Sequence, residues 1–179
     1  MPRLFTGLEI PQTQKQLLAL AQCGLDTVRW IAPEDMHITL RFIGDVSAKV
    51  ADTIVTELAA GDWPQPHIQL GELKAFGGNK PRSVSASVSD DPNLTRLQLK
   101  QESLLQQIGL PPEARKFTPH VTLARCRQTK TDQVAQYLGQ FGGFSAPGFR
   151  PASFVLYSAR DSVGGGPYHV EERFPFTTK

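Results

Sequence analysis

Two of the four histidines in this 179-residue chain open the same kind of tetrapeptide, His37-Ile38-Thr39-Leu40 and His120-Val121-Thr122-Leu123, one in each half. Composition alone would produce such a pair with odds on the order of 10⁻⁵, so the repeat points to function. An imidazole with an unperturbed pKa of about 6.5 exchanges protons near neutral pH, and in a pair one ring can give a proton while the other takes one. Threonine hydroxyls donate hydrogen bonds to an oxyanion without adding charge. Two imidazoles and two hydroxyls in one place suit acid–base chemistry on an anion. A coupled pair of this kind gives a bell-shaped pH profile whose apparent values belong to the pair and do not say which ring is the acid.

For these groups to meet, the tetrapeptides must be strands. Successive side chains of a strand take opposite faces, so His37 and Thr39 share one face while Ile38 and Leu40 anchor the other, and His120/Thr122 divide from Val121/Leu123 in the same way. Two such strands side by side about a pseudo-two-fold axis bring all four polar groups to one cleft.

The rest of the chain supplies the scaffold. Arg3 to Leu8 reads as a strand, and Pro11 starts a helix to about Gln22 with Leu17, Leu18, Leu20 and Ala21 at helical spacing. Trp30-Ile31-Ala32-Pro33 leads into the first histidine strand, which runs to about Ile43. Ser47 is an N-cap for a second helix through Val50, Ile54, Val55 and Leu58. The first lobe thus reads strand, helix, strand, helix. Residues His67 to Phe76 and Ser83 to Ser89 predict a hairpin turning at Gly77 to Pro81. Asp91-Pro92 opens a long helix that Gly109 stops. After the second histidine strand come a helix around Thr131 to Leu138 and strands Ser153 to Ala159 and Tyr168 to Phe174. This alternation indicates a mixed α/β fold of two pseudo-symmetric halves, in one domain over residues 1–179.

Composition narrows the function. A hydrophobic fraction of 40% supports a sizeable core, and a net charge of +2 does not provide the broad positive surface of a protein that coats nucleic acid, so any such contact is local. Cys23 and Cys126 lack metal-ligand spacing and read as free thiols in a reducing cytosol. Neither a signal peptide nor a membrane span is evident, so the expected location is cytoplasmic, without a membrane partner.

The segments His37-Ile38-Thr39-Leu40-Arg41-Phe42-Ile43-Gly44-Asp45 and Phe117-Thr118-Pro119-His120-Val121-Thr122-Leu123-Ala124-Arg125 closely resemble the paired signatures of the two-histidine (2H) phosphoesterases. Within that superfamily the chain is similar to the RNA 2',3'-cyclic phosphodiesterases, also called 2'-5' RNA ligases. The likeness extends to Arg3-Leu4-Phe5, the Pro11 helix start, Phe154 to Ser158 and Gly166-Pro167-Tyr168. Asp45 and His169 stand where such proteins often have Glu. The resemblance implies a bilobal α/β (α+β) fold with two antiparallel sheets lining a central cleft and helices outside. It implies hydrolysis of an RNA 2',3'-cyclic phosphate to a 2'-phosphomonoester without metal or other cofactor, with reverse 2'-5' joining under forcing conditions. By the same resemblance His37 is the proton donor to the leaving 3'-oxygen, His120 the acceptor that activates water, and Thr39 and Thr122 hold phosphate oxygens. The implied partners are RNA ends carrying the cyclic phosphate, tRNA fragments among them, or cyclic nucleotides, bound by a monomer.

Arg125 joins the phosphate-binding candidates, although three positions past Thr122 it falls on the opposite side of an ideal strand and must use the strand's end to reach the cleft. Arg41 is a weaker candidate, and Arg115-Lys116 reads as a solvated basic turn. His67 and His169 lack a threonine two places on and read as surface or rim residues. Phe42 and Trp30 read as core, with Tyr168 available to stack on a base. Gly164 to Pro167 reads as a hairpin connection at the cleft rim, since the Lys-Ser/Thr ending of a P-loop is missing. Alternatives are a 2H enzyme for small cyclic nucleotides, an RNA-end binding module without turnover, and a zinc hydrolase, the last disfavoured because neither motif has a further ligand at suitable spacing.

Overall fold

Strand β1 (Arg3–Glu9) buries five successive residues, Leu4 to Leu8, because it is covered on both faces and flanked on both edges. One flank is β3 (His37–Asp45) and the other β7 (Ser153–Ser158), both antiparallel. Beyond β7 lies β8 (His169–Pro175). On the far side β6 (His120–Cys126) pairs with β5 (Ser83–Val88), β5 with β4 (Leu70–Phe76), and the short β2 (Val28–Trp30) also lies on β6. The computed structural model describes residues 3–159 and 165–177.

The two four-stranded halves join through one registered pair, Ile38 opposite Val121, giving a continuous eight-stranded sheet. Both residues are fully buried, so the seam is anchored by the aliphatic positions of the two tetrapeptides, and the histidines beside them flank it. The expected pair of antiparallel sheets is therefore present as two halves of one sheet.

Helix α2 (Ala48–Ala60) packs against α3 (Pro92–Ile108) and β8, and α3 also contacts β3. Their ends follow the expected chemistry. Ser47 Oγ accepts from Val50 N at 3.3 Å, Asp91 Oδ1 accepts from Leu94 N at 2.9 Å, and Gly109 closes α3 at φ 111°. Helix α4 (Thr131–Phe141) lies on β4. Helix α1 (Gln12–Leu20) is tied to the β6 half: Tyr137 Oη donates to Ala21 O at 2.5 Å, and Gln22 Nε2 donates to Ile31 O and Leu123 O at 2.7 and 3.1 Å.

Chain order and lobes consequently disagree with the reading of a first lobe built as strand, helix, strand, helix. Helix α1 crosses to the second lobe, and the C-terminal strands β7 and β8 complete the first. The driving force is the second edge of β1, whose backbone groups need a partner that the N-terminal half does not supply. Leu20, expected on the buried stripe of α1, is 74% exposed, while Leu18 is buried and Leu17 packs at the core's margin. In the β4–β5 turn Gly77 sits at φ 111°, and a Cβ there would lie 2.3 Å from Lys80 O, so this position requires glycine.

Candidate active site

The two histidine strands share an irregularity that determines what the cleft contains. Along β1, Thr6 pairs with Arg41 and Gly7 with Thr39, leaving Leu40 as an extra residue. Along β5, Val84 pairs with Ala124 and Ser85 with Thr122, leaving Leu123 extra. A bulge sets two residues of one strand against one of its neighbour and reverses the facing of those that follow. Accordingly Leu40 and Arg41 are both buried, as are Leu123 and Ala124, and alternation resumes with Phe42 and Arg125 on the open side. The bulge, and not the strand's end, delivers Arg125 to the cleft. It delivers Phe42 too, correcting the core assignment of that ring, which is 50% exposed.

The cleft encloses about 530 Å³ between the lobes. His37, Thr39, His120, Thr122 and Arg125 all line it, together with Tyr168, Phe42, Asp35, Arg3 and Arg115. Among the described residues, three guanidinium groups against one carboxylate suit an anionic occupant. Arg3, Asp35 and Arg115 are additions to the expected set. Arg3 comes from the N-terminal strand, and Arg115 comes from the turn read as solvated and holds its Cζ 5.7 Å from the Phe42 ring centroid. Asp35 Oδ1 accepts from the Tyr168 backbone N–H at 3.0 Å, fixing the residue that edges the His37 ring.

Both imidazoles are anchored in the same way. His37 Nδ1 lies 2.8 Å from Asp35 O, and His120 Nδ1 lies 2.7 Å from Thr118 O, in each case the carbonyl two residues earlier. A carbonyl only accepts, so Nδ1 carries the proton and Nε2 remains for chemistry. His37 Nε2 is 3.0 Å from Thr39 Oγ1, which donates to it while the ring is neutral.

Their surroundings differ. His37 is enclosed by Phe5, Tyr157 and Tyr168 at ring-centroid distances of 5.0, 5.4 and 4.9 Å, the Tyr168 contact edge-on. Burial in this apolar nest, helped by the positive potentials of His120 and Arg125 and opposed by the Asp35 carbonyl, lowers the His37 pKa from 6.5 to about 4. His120 meets one aromatic ring, Phe76, at 5.0 Å.

Arg41 lies outside the cleft. Its guanidinium is 5% exposed, pairs with the Glu102 carboxylate of α3, and donates to Phe42 O and, at 2.6 Å, to Pro111 O. Glu102 also accepts from Glu113 N at 2.9 Å. Although burial opposes it, the hydrogen bonds from Arg41, Glu113 and Gln106 hold the Glu102 carboxyl at about 2. Glu113 in turn accepts from Arg115 N at 3.1 Å. Arg41 thus shapes the loop that carries Arg115.

His67 and His169 are exposed and do not line the cleft, in keeping with a surface or rim place, and Trp30 packs at the core's edge. Of the glycine-rich connection, Gly164 lies outside the described residues, while Gly165 lines the cleft. Among the described residues no group of three His, Cys, Asp or Glu side chains is placed to hold a metal ion, and no helix is long and apolar enough to cross a membrane.

The model of the 2'-5' RNA ligase superfamily matches residues 21–161, and the chain belongs to this family of two-histidine phosphoesterases. An RNA 2',3'-cyclic phosphodiesterase of Aeropyrum pernix is 39% identical over 111 residues, covering 61% of this chain and 62% of its own length. One from Bacillus subtilis is 30% identical over 131 residues, covering 69% and 71%. In fold the chain is similar to E. coli LigT complexed with 3'-AMP, with a TM-score of 0.80, 20% identity and coverage of 99% and 100%. A Thermus thermophilus protein, TT0787, is similar at 0.78, with 21% identity and 97% of each chain covered.

Proposed function

We propose that this protein hydrolyses 2',3'-cyclic phosphate ends of RNA to 2'-phosphomonoesters by paired-histidine acid–base catalysis. The observation that carries the reading is the matched anchoring of His37 and His120, which leaves two Nε2 atoms for one cleft lined by Thr39, Thr122 and Arg125. The relatives named as RNA 2',3'-cyclic phosphodiesterases support the substrate class.

In the reaction a water oxygen attacks phosphorus in line with the 3'-oxygen. His120 Nε2 takes the water's proton, the bond from phosphorus to O3' breaks, and His37 Nε2 gives a proton to O3', leaving a 3'-hydroxyl and a 2'-phosphate. Each positioned acid or base contributes roughly 10² to 10⁴ in rate. Thr39 and Thr122 donate to the non-bridging oxygens, and the planar fork of Arg125 adds charge where it develops.

His37 is neutral in the unliganded cleft at pH 7, because burial holds its pKa at about 4. To serve as donor it takes up its proton with the substrate, whose negative charge favours the imidazolium. Phe42, exposed at the Arg3 and Arg115 end of the cleft, offers a face on which the terminal base stacks. The whole chain acts as one bilobal monomer, since cleft walls come from Arg3 at one end and Tyr168 near the other. Cys23 and Cys126, both free thiols, suit a cytoplasmic setting.

The test is incubation with a short RNA ending in a 2',3'-cyclic phosphate, in the presence of chelator, resolving 2'- from 3'-phosphate products. Wild type should yield the 2'-phosphate, and His37→Ala and His120→Ala should not. A 3'-phosphate product would reverse the choice of leaving oxygen, and loss of turnover in chelator would return a metal to the mechanism.

A further inference from the structure

The cleft does not end at His120. His120 also lines a second cavity of about 240 Å³ between β4, β5 and the segment leading into β6, with Lys74, Phe76, Asp90, Lys116 and Phe117 in its wall. Lys74 and Lys116 are exposed, and among the described residues neither ammonium has an ion-pair partner. Phe76 and Phe117 are half-buried and supply aromatic surface. Two cations, two phenyl rings and one carboxylate around a space smaller than a drug-sized pocket describe a place for one nucleotide unit: a phosphate for the lysines and a base for a ring.

A neighbouring groove provides the contrast. It continues from Arg115 along α3 over about 350 Å³, but Asp90, Asp91, Glu102 and Glu113 line it against only Arg115 and Lys116. Its carboxylates outnumber its cations, so a phosphodiester chain is repelled there and attracted past His120. With the terminal base on Phe42 at one end of the cleft, a strand must leave by another exit, and the His120 side is the one whose charge favours it.

We propose that this second cavity is a subsite for the penultimate nucleotide of the RNA strand, with Lys74 and Lys116 holding the phosphate that joins it to the terminal residue. The subsite rests on the cyclic phosphodiesterase reading and makes the preferred substrate an oligonucleotide end over a free cyclic mononucleotide.

The experiment compares kcat/KM for adenosine 2',3'-cyclic phosphate and for the di- and triadenylates with the same terminus, in wild type and in Lys74→Ala/Lys116→Ala, at two salt concentrations. In wild type kcat/KM rises about tenfold from mono- to dinucleotide, as expected for one added stacked and phosphate-bound unit, with no comparable rise from di- to trinucleotide. The double variant loses that rise and has a shallower salt dependence on the dinucleotide, while its mononucleotide turnover is unchanged. Equal wild-type kcat/KM for mono- and dinucleotide overturns the subsite while leaving the phosphodiesterase reading intact. An equal loss on all three substrates in the variant also overturns it, since the lysines would then serve the cleft as a whole. No turnover of any substrate by wild type removes the phosphodiesterase reading and the subsite with it.

Discussion

Strands β3 and β6 start from matching tetrapeptides, carry a bulge at the same leucine and hold their histidines by the same carbonyl, yet they present different chemistry. Around His37 three aromatic rings crowd the imidazole, and burial there lowers its pKa. His120 has one ring beside it and opens to a second, cationic cavity. Past the bulge the strands diverge again. The first buried position is Arg41 in β3 and Ala124 in β6, and the first open position is Phe42 in β3 and Arg125 in β6. Duplication therefore sets up a matched pair of imidazoles with unlike neighbours, which in the proposed reaction would separate their tasks. Pairs of titratable groups whose environments differ are how one site runs acid and base chemistry together. In the proposed reaction the β3 side, through Phe42, would offer an apolar face for a base, and the β6 side, through Arg125, charge for phosphate.

Removing either imidazole should cost the most. His37→Ala and His120→Ala should each lower kcat on a cyclic-phosphate RNA by about 10² to 10⁴. An effect confined to one of them would show that the pair is matched in geometry only. Next in size is the anion contact: Arg125→Ala should lower kcat/KM by about 10² to 10³, with poor rescue by Arg125→Lys because an ammonium lacks the planar fork. Phe42→Ala, at the equivalent position of the other strand, should act mainly on KM and do so differently for purine and pyrimidine ends. If the two substitutions gave the same pattern, the division into a base side and a phosphate side would fail.

A smaller effect sharpens the protonation difference. At pH 6 free His37 is neutral, so binding of 2'-AMP, a product-type phosphomonoester of the proposed reaction, should take up a proton, measurable by calorimetry in buffers of different ionisation enthalpy. Binding without uptake, or uptake that survives His37→Gln, would assign the donor elsewhere. The same shift bears on stability. Between pH 6.5 and about 4 the unfolded chain binds a proton at His37 that the folded chain refuses, so this residue's share of stability declines as pH falls through that window. His37→Gln should flatten that part of the pH–stability curve. Least in catalytic effect, Glu102→Gln should leave kcat near wild type, raise KM a few-fold by loosening the Arg115 loop, and cost roughly 1–3 kcal/mol of unfolding free energy by leaving the Arg41 guanidinium short of a charged partner.

Local chemistry was legible in the amino-acid order. The paired histidines and threonines, the Ser47 and Asp91 caps, the Gly109 stop and the hairpin turn at Gly77 each depend on neighbours a few residues away, and each is present. What alternation could not convey was the bulge. A period-of-two reading sends Arg125 and Phe42 to the wrong face, because nothing in Leu40 or Leu123 marks it as the extra residue until β1 or β5 lies opposite. The three-residue β2 was likewise too short to carry a periodic signal.

The amino-acid order alone singled out two His-x-Thr pairs as candidates for the chemistry and put each on a strand whose other side is buried, because side-chain identity and period-two facing are properties of the local chain. The folded chain adds that β7 and β8 complete the first lobe, that Arg3, Asp35 and Arg115 join the cleft, and that burial lowers the His37 pKa. Those outcomes rest on edge pairing, bulge register and burial, which exist only when segments distant in sequence are brought into contact.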